Sequence, residues 1–277
     1  MANVQKDLIF DVGMHKGYDT SFYLAKGFRV VAIEANPVLV EIAREKFAEE
    51  LNEGRLTIIE KAISHTPGEI PFFVFDEKSD WGTIDSRMVN RNEERGVASR
   101  SITVEAVTFD SVLKDHGIPY FLKVDIEGAD THCIRALQEF DGPPPSFVSI
   151  EANMEKQNNS FEDLDCLSKA GYTHFQIMNM DLVHLQSCPF PAREGAYIEH
   201  DFGPQTSGLF GNELPGAWIT LQEAEREYRR LSRELSLLSM GSKLRNTIFS
   251  KIYFKLFRNL GRNHVGWYDI HATTQQV

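Results

Sequence analysis

The sequence predicts an α/β fold built on a doubly wound, mostly parallel sheet with a C-terminal helical extension. Three observations carry this expectation. Apolar strand patterns alternate with helical patterns from Leu8 to Met178, the order that gives a parallel sheet. Four of the apolar runs end in a carboxylate, at Asp11, Glu34, Asp125 and Glu151. The first run also enters a turn, LIFDVGMHKGYDT over Leu8 to Thr20, whose glycines let a ligand approach the backbone.

Taken in order, the patterns give a strand over Leu8 to Val12, a helix capped by Thr20, and a strand over Phe28 to Ile33. A helix over Val38 to Leu51 follows, entered through Asn36 and Pro37, then a strand over Leu56 to Ile59. Ile70 to Phe75 and Ile102 to Val107 form a hairpin that encloses Ser79, Asp80 and Trp81. A short helix, Phe109 to Asp115, precedes the strand Tyr120 to Val124, and a helix then runs to Phe140. The strand Phe147 to Ile150, a helix over Phe161 to Ala170 and the strand His174 to Met178 complete the alternation. Gln186 to Gly216 is dense in Gly and Pro and reads as irregular; a charged helix, Leu221 to Leu238, follows it. The expected division is 1–184 as core, 185–219 as a substrate lid and 220–277 as the helical extension.

The turn has the form G-x-x-x-G, at Gly13 and Gly17, not the G-x-G-x-x-G that sets a helix N-terminus against a pyrophosphate. A cofactor without phosphates and with a cationic centre suits this acidic turn, and S-adenosylmethionine answers that description. Glu34, roughly 20 residues past the turn, is spaced to accept hydrogen bonds from ribose hydroxyls. In a parallel sheet the four acidic strand ends share one edge and converge on one crevice.

A net charge of −11 argues against nucleic-acid partners, which require clustered Lys and Arg, and favours a small-molecule or glycan substrate. Cys133, Cys166 and Cys188 form no C-x-x-C pair and read as reduced and structural. The N-terminus lacks an apolar signal core and no apolar run reaches a membrane span, so a cytoplasmic location is expected. The tail from Lys243 to Arg262 alternates basic and apolar positions, a pattern for membrane-surface contact or, more plainly, for docking on its own domain or a second subunit.

DVGMHKGYDT, VVAIEANP and FLKVDIEGAD, in that order, resemble the FkbM-type methyltransferases, S-adenosylmethionine-dependent O-methyltransferases acting on hydroxyls of sugars and natural products. The resemblance runs from Leu8 to Leu182, is most specific at LKVDIEG, and extends more loosely to SGLFGNELPGAW and WYDIHA. It implies a Rossmann-like methyltransferase fold, with Asp11, Gly13 and Gly17 in the cofactor loop and Glu34 on the ribose. Asp80 and Trp81 would flank the adenine, and Asp125, Glu127 and Lys123 would face the reacting end. Met14 and His15 stand where many members have a small residue and Asn, which leaves His15 either on the methionine carboxylate or packed against the loop.

Two routes to activating a hydroxyl are open. In one, Asp125, Glu151 and Asn153 hold a divalent cation such as Mg²⁺ that lowers the alcohol's pKa. In the other, Glu127, Lys123 or His132 acts as base or orienter; His132 also reads as a packed helix residue, and Lys123 as the ion-pair partner of Asp125. An NAD-dependent sugar oxidoreductase and a non-catalytic cofactor-binding scaffold are the competing functions.

Overall fold

The computed structural model describes residues 3–152, 162–238 and 267–275. Its elements are β1 (Val4–Val12), α1 (Tyr18–Ala25), β2 (Arg29–Ile33), α2 (Pro37–Lys46), α3 (Ala48–Asn52), β3 (Leu56–Ile59), β4 (Ala62–Ile63) and β5 (Gly68–Val74). They continue with α4 (Ser86–Glu94), β6 (Arg100–Val107), α5 (Phe109–His116), β7 (Ile118–Val124), α6 (Asp130–Glu139), β8 (Phe147–Glu151) and α7 (Glu162–Lys169). The last are β9 (His174–Asn179), β10 (Ile219–Thr220), α8 (Leu221–Leu238) and β11 (Tyr268–Thr273).

Eight strands form one sheet in the order β10-β9-β11-β8-β7-β1-β2-β3. The pairs β1–β2, β1–β7, β2–β3 and β7–β8 are parallel, which is the doubly wound, mostly parallel sheet that the alternation predicts. Central strands of such a sheet are covered on both faces and read as continuous apolar runs. Here one face packs Val112, Leu113, Ile134, Leu137, Leu167 and Tyr228 from α5 to α8. The other packs Phe22 and Tyr23 of α1 and Phe47 beside α2, together with Phe202, Leu209 and Phe210 from the Gly/Pro-rich segment.

The expected hairpin is present as the antiparallel pair β5–β6, which with β4 makes a separate three-stranded sheet. Between its strands lies α4, unanticipated because SRMVNRNEE is too polar to show an apolar stripe; Asp85 caps it by accepting the Arg87 N–H. The helix expected over Val38 to Leu51 is two helices that break at Phe47. Gly17, in the left-handed region, is the N-cap of α1; Thr20 lies inside the helix and its hydroxyl donates to Asp11 Oδ2 (2.6 Å).

The largest departure is β11, which inserts between β8 and β9 antiparallel to both. The segment expected to form a helical extension therefore also supplies a strand of the main sheet. Its sequence, YDIHAT, alternates polar and apolar side chains as a half-solvated strand would, yet all six residues are buried. Residues 186–216 are irregular apart from one short 3-10 turn, Gly211–Glu213. They are held by a fully buried ion pair, Lys26 Nζ to Glu213 Oε2 at 2.9 Å. The three cysteines are free. Asn153 and the basic stretch 243–262 lie outside the described residues. Among the described residues no helix is long and apolar enough to cross a membrane.

Candidate active site

A cavity of about 1320 Å³ opens at the carboxyl ends of the parallel strands, between the main sheet, the small sheet and α4. Glu34, Asp125 and Glu151 line it, so three of the four acidic strand ends converge as the topology requires. Asp11 does not. Its side chain is fully buried within β1, where it accepts from Thr20 Oγ1.

The glycine turn forms one wall. Gly13, at φ +88°, donates its N–H to Ile33 O (2.9 Å), and Met14 donates to the same carbonyl (3.1 Å). A Cβ on Gly13 would stand 1.8 Å from Asp125 O, so only glycine lets the first turn pass the end of β7. Gly17 packs instead against the Phe47 ring, 2.5 Å from where its Cβ would be. The turn is tied to the second strand through Glu34: its Oε2 accepts the His15 N–H and its Oε1 the Asn36 N–H, both at 2.8 Å. Each oxygen keeps a further acceptor position. Burial pushes the Glu34 carboxyl up to about 7, against the pull of those backbone N–H groups. His15, itself in the left-handed region, lines the cavity with its Nε2 2.9 Å from Ser79 Oγ.

Lys123 lines the floor of the cavity. Its Nζ donates to Gly13 O (2.9 Å) and sits 3.2 Å from Asp11 Oδ1, 3.7 Å from Asp19 Oδ2 and 3.8 Å from Asp125 Oδ2. The expected pairing with Asp125 is present, and Asp11 is the nearer partner. Burial opposes the charge, but the three carboxylates outweigh it and hold the ammonium well above its ordinary pKa. Lys123 thus ties the turn to three carboxylates. Asp19, with its carboxyl pushed to about 6 by burial, accepts the Ser207 N–H and hydroxyl, both at 2.8 Å. It thereby fastens Pro204, Gln205, Thr206 and Ser207 to the cavity rim.

The turn after β7 forms the adjoining wall. Asp130 accepts the Ile126 and Gly128 N–H groups at 3.2 Å, while Thr83 Oγ1 donates to Glu127 O at 2.7 Å. These bonds hold Glu127 at φ +50°, a conformation that non-glycine residues rarely adopt, and direct it onto the cavity. Burial, reinforced by the Asp125 charge, pushes the Glu127 carboxyl to about 8; Arg91, 3.8 Å away, opposes this. Asp130 is raised to about 7, by burial first and Asp125 second. The His132 ring is tilted against that of His65 at a centroid distance of 3.8 Å, and burial lowers it to about 4; it does not line the cavity.

Among the cavity residues that escaped the sequence reading are three acids, Asp19, Asp130 and Asp269. Asp269, on β11, is the cross-strand partner of Glu151; the carboxyls of this pair are driven well above the ordinary range, chiefly by burial. Asp80 and Trp81 form a 3-10 turn that lines the far side, with Lys78 Nζ 5.6 Å from the indole centroid. Of the expected metal ligands, Asp125 and Glu151 share the cavity. Among the described residues no three His, Cys, Asp or Glu side chains are grouped to hold a metal ion.

Residues 11–173 match the family model described as the methyltransferase FkbM domain, more than half of the chain. The chain belongs to the FkbM methyltransferase family. Among solved structures, the FkbM methyltransferase of Methylobacillus flagellatus KT is similar at 16% identity and a TM-score of 0.42, over 65% of this chain and 41% of that one. Phosphoethanolamine N-methyltransferase 2 of Haemonchus contortus, solved with S-adenosyl-L-methionine, is similar at 11% identity and a TM-score of 0.37, over 100% of this chain and 50% of that one. A SAM-dependent methyltransferase of Geobacter sulfurreducens, solved with S-adenosyl-L-homocysteine, is similar at 11% identity and a TM-score of 0.34, over 99% of this chain and 86% of that one. The chain thus spans about two fifths of the first of these proteins and half of the second. No curated protein sequence matches it.

The FkbM match ends before the Gly/Pro-rich segment and β11, so Ser207 and Asp269 are features of this chain beyond the matched domain. Inside the match, the residues present fit S-adenosylmethionine. Gly13 and His15 line the cavity on the first turn, and Glu34 keeps acceptor positions on the cavity after both backbone bonds are made.

Proposed function

We propose that the protein is an S-adenosylmethionine-dependent O-methyltransferase that methylates a hydroxyl of a sugar, glycan or natural product, with Glu127 as the general base. The observation that carries this reading is Glu127: a carboxyl held on the cavity in a strained conformation, beside the glycine turn, with its pKa pushed to about 8. A base is most effective when its pKa lies near the working pH.

When bound, S-adenosylmethionine supplies a sulfonium methyl for in-line transfer to the acceptor oxygen. The first turn, with Gly13 on the cavity, lies against it, Glu34 accepts from the ribose hydroxyls, and Asp80 with Trp81 flanks the adenine. Lys123 fixes the Gly13 carbonyl, so the turn is rigid before any ligand arrives. The acceptor proton passes to the Glu127 carboxylate, while Arg91 keeps a fraction of that group ionised near neutral pH. Pro204 to Ser207, pinned by Asp19, cover the rim and exclude water, as the lid reading of 185–219 requires. The metal route through Asp125, Glu151 and Asn153 is the alternative.

Calorimetry with S-adenosylhomocysteine and with NAD, followed by methyl transfer to a panel of hydroxylated acceptors with and without a chelator, tests the reading. Micromolar binding of S-adenosylhomocysteine, none of NAD, and chelator-insensitive turnover are expected. Glu127→Gln should keep S-adenosylhomocysteine affinity within about twofold and lower kcat by about 10²-fold or more. Binding of NAD alone would point to the oxidoreductase, and turnover abolished by chelation to the metal route.

A further inference from the structure

The cavity is larger than a single cofactor needs, and its wall on the β11 side has no task in the scheme above. Drug-sized ligands fill about 300–1,000 Å³, against about 1320 Å³ here. That wall carries Trp267, Asp269 and Glu151. Trp267 and Asp269 are two residues apart at the start of a strand, so they project to the same side. Asp269 and Glu151 are directly opposed across β11 and β8, where neighbouring side chains lie about 5 Å apart. The backbone beneath them is fixed: Met180 donates its N–H to Trp267 O (3.0 Å) and Ala152 to Tyr268 O (2.7 Å).

Asp269 is 8% exposed, yet among the described residues its carboxyl makes neither a hydrogen bond nor an ion pair, and neither does that of Glu151. A buried carboxyl without a partner costs folding energy, and this pair faces open cavity. The indole of Trp267, by contrast, is 45% exposed, a large apolar surface left at the rim.

We propose that Trp267, Asp269 and Glu151 form the acceptor subsite, and that it holds a pyranose ring: the C–H face lies on the Trp267 indole, and adjacent ring hydroxyls bond the Asp269 and Glu151 carboxyls. An aromatic face joined to side-by-side acceptor-rich groups matches a ring that is apolar on one face and hydroxylated at its edge. Two of the three residues, Trp267 and Asp269, lie outside the matched family domain, and the role rests on the hydroxyl-methylation reading above.

Saturation-transfer NMR on the full chain with bound S-adenosylhomocysteine, using methyl β-glucopyranoside and methyl α-rhamnopyranoside as probes, tests the inference. Transfer to the pyranose ring protons is expected, falling at least fivefold in Trp267→Ala and Asp269→Asn and returning in Trp267→Phe, with S-adenosylhomocysteine affinity unchanged within twofold in all. The half-exposed Trp267 can be truncated without opening the core, so Trp267→Ala decides the matter if Asp269→Asn fails to fold. Absence of transfer from both pyranosides while S-adenosylhomocysteine binds, or transfer undiminished in Trp267→Ala, overturns the subsite and leaves the methyltransferase reading standing. Failure of S-adenosylhomocysteine itself to bind removes both.

Discussion

A Cβ placed on Gly13 would lie 1.8 Å from the carbonyl oxygen of Asp125, so the first turn and the end of β7 meet at a separation only glycine permits. That contact sets the spacing between the two walls of the cavity. Gly13→Ala must move one wall away from the other and also strain a backbone at φ +88°. The expected result is a loss of at least about 2 kcal/mol of stability together with a more than tenfold weaker response to S-adenosylhomocysteine, read by denaturant unfolding and calorimetry.

The second prediction concerns pH. Folded Glu127, Glu34 and Asp130 hold protons up to about 8, 7 and 7, against ordinary values of 4.5, 4.5 and 3.8. The folded state therefore binds more protons than the unfolded chain over that range, and stability is lost as the pH rises through the folded values. His132 and His271, lowered by burial to about 4 and about 3 from 6.5, act oppositely, but only below about 6.5, where unfolded rings protonate. Between pH 6.5 and 8 the carboxyls act alone, and Glu127 by itself accounts for about 2 kcal/mol. Denaturant unfolding of the ligand-free protein should show stability falling from pH 6.5 to 8; a flat or rising profile would contradict the buried-acid picture. Glu127→Gln should flatten the upper part of the slope.

How much of this was legible in the sequence follows from what each residue's neighbours are. Glu34 and Asp125 could be placed because they end apolar strands whose order fixes where they point. Asp11 ends a similar run, but β1 continues past it, and only the fold reveals that its partners are Thr20 and Lys123. Asp269 was hidden for a different reason. Its strand is flanked by β8 and β9 on both edges, so a polar alternation that normally marks a solvated face is buried, and the pairing joins residues at least 89 positions apart. Asp19 gave no signal because its role depends on Ser207, 188 residues away.

The Gly/Pro-rich segment is anchored through one buried ion pair, and this gives a third prediction. Lys26 and Glu213 have fully buried side chains 2.9 Å apart; Lys26 Nζ also donates to Ala196 O (3.2 Å), and the Arg193 N–H donates to Glu213 Oε1 (3.0 Å). Lys26→Met leaves an uncompensated buried carboxylate and should cost about 3–5 kcal/mol. The double variant Lys26→Met, Glu213→Leu should recover a substantial part of that loss. Denaturant midpoints of the two variants measure the difference, and limited proteolysis within 186–216 should rise in the single variant first.

The last prediction separates the two tasks of Glu34. Its oxygens accept the His15 and Asn36 N–H groups at 2.8 Å each, and the same carboxylate is assigned the ribose hydroxyls. Glu34→Gln turns one acceptor into a donor, so one backbone N–H faces an NH₂ group and loses its partner, at about 1–3 kcal/mol. Glu34→Asp keeps both oxygens but withdraws them by one methylene. If the carboxylate only bound cofactor, both variants would weaken S-adenosylhomocysteine while leaving the ligand-free melting temperature unchanged. Because it also joins the first turn to the second strand, Glu34→Gln should lower that temperature by several degrees in addition to weakening the ligand by about 10- to 100-fold. A variant that lost affinity with an unaltered ligand-free melt would show that the turn is held by Gly13 and Lys123 alone.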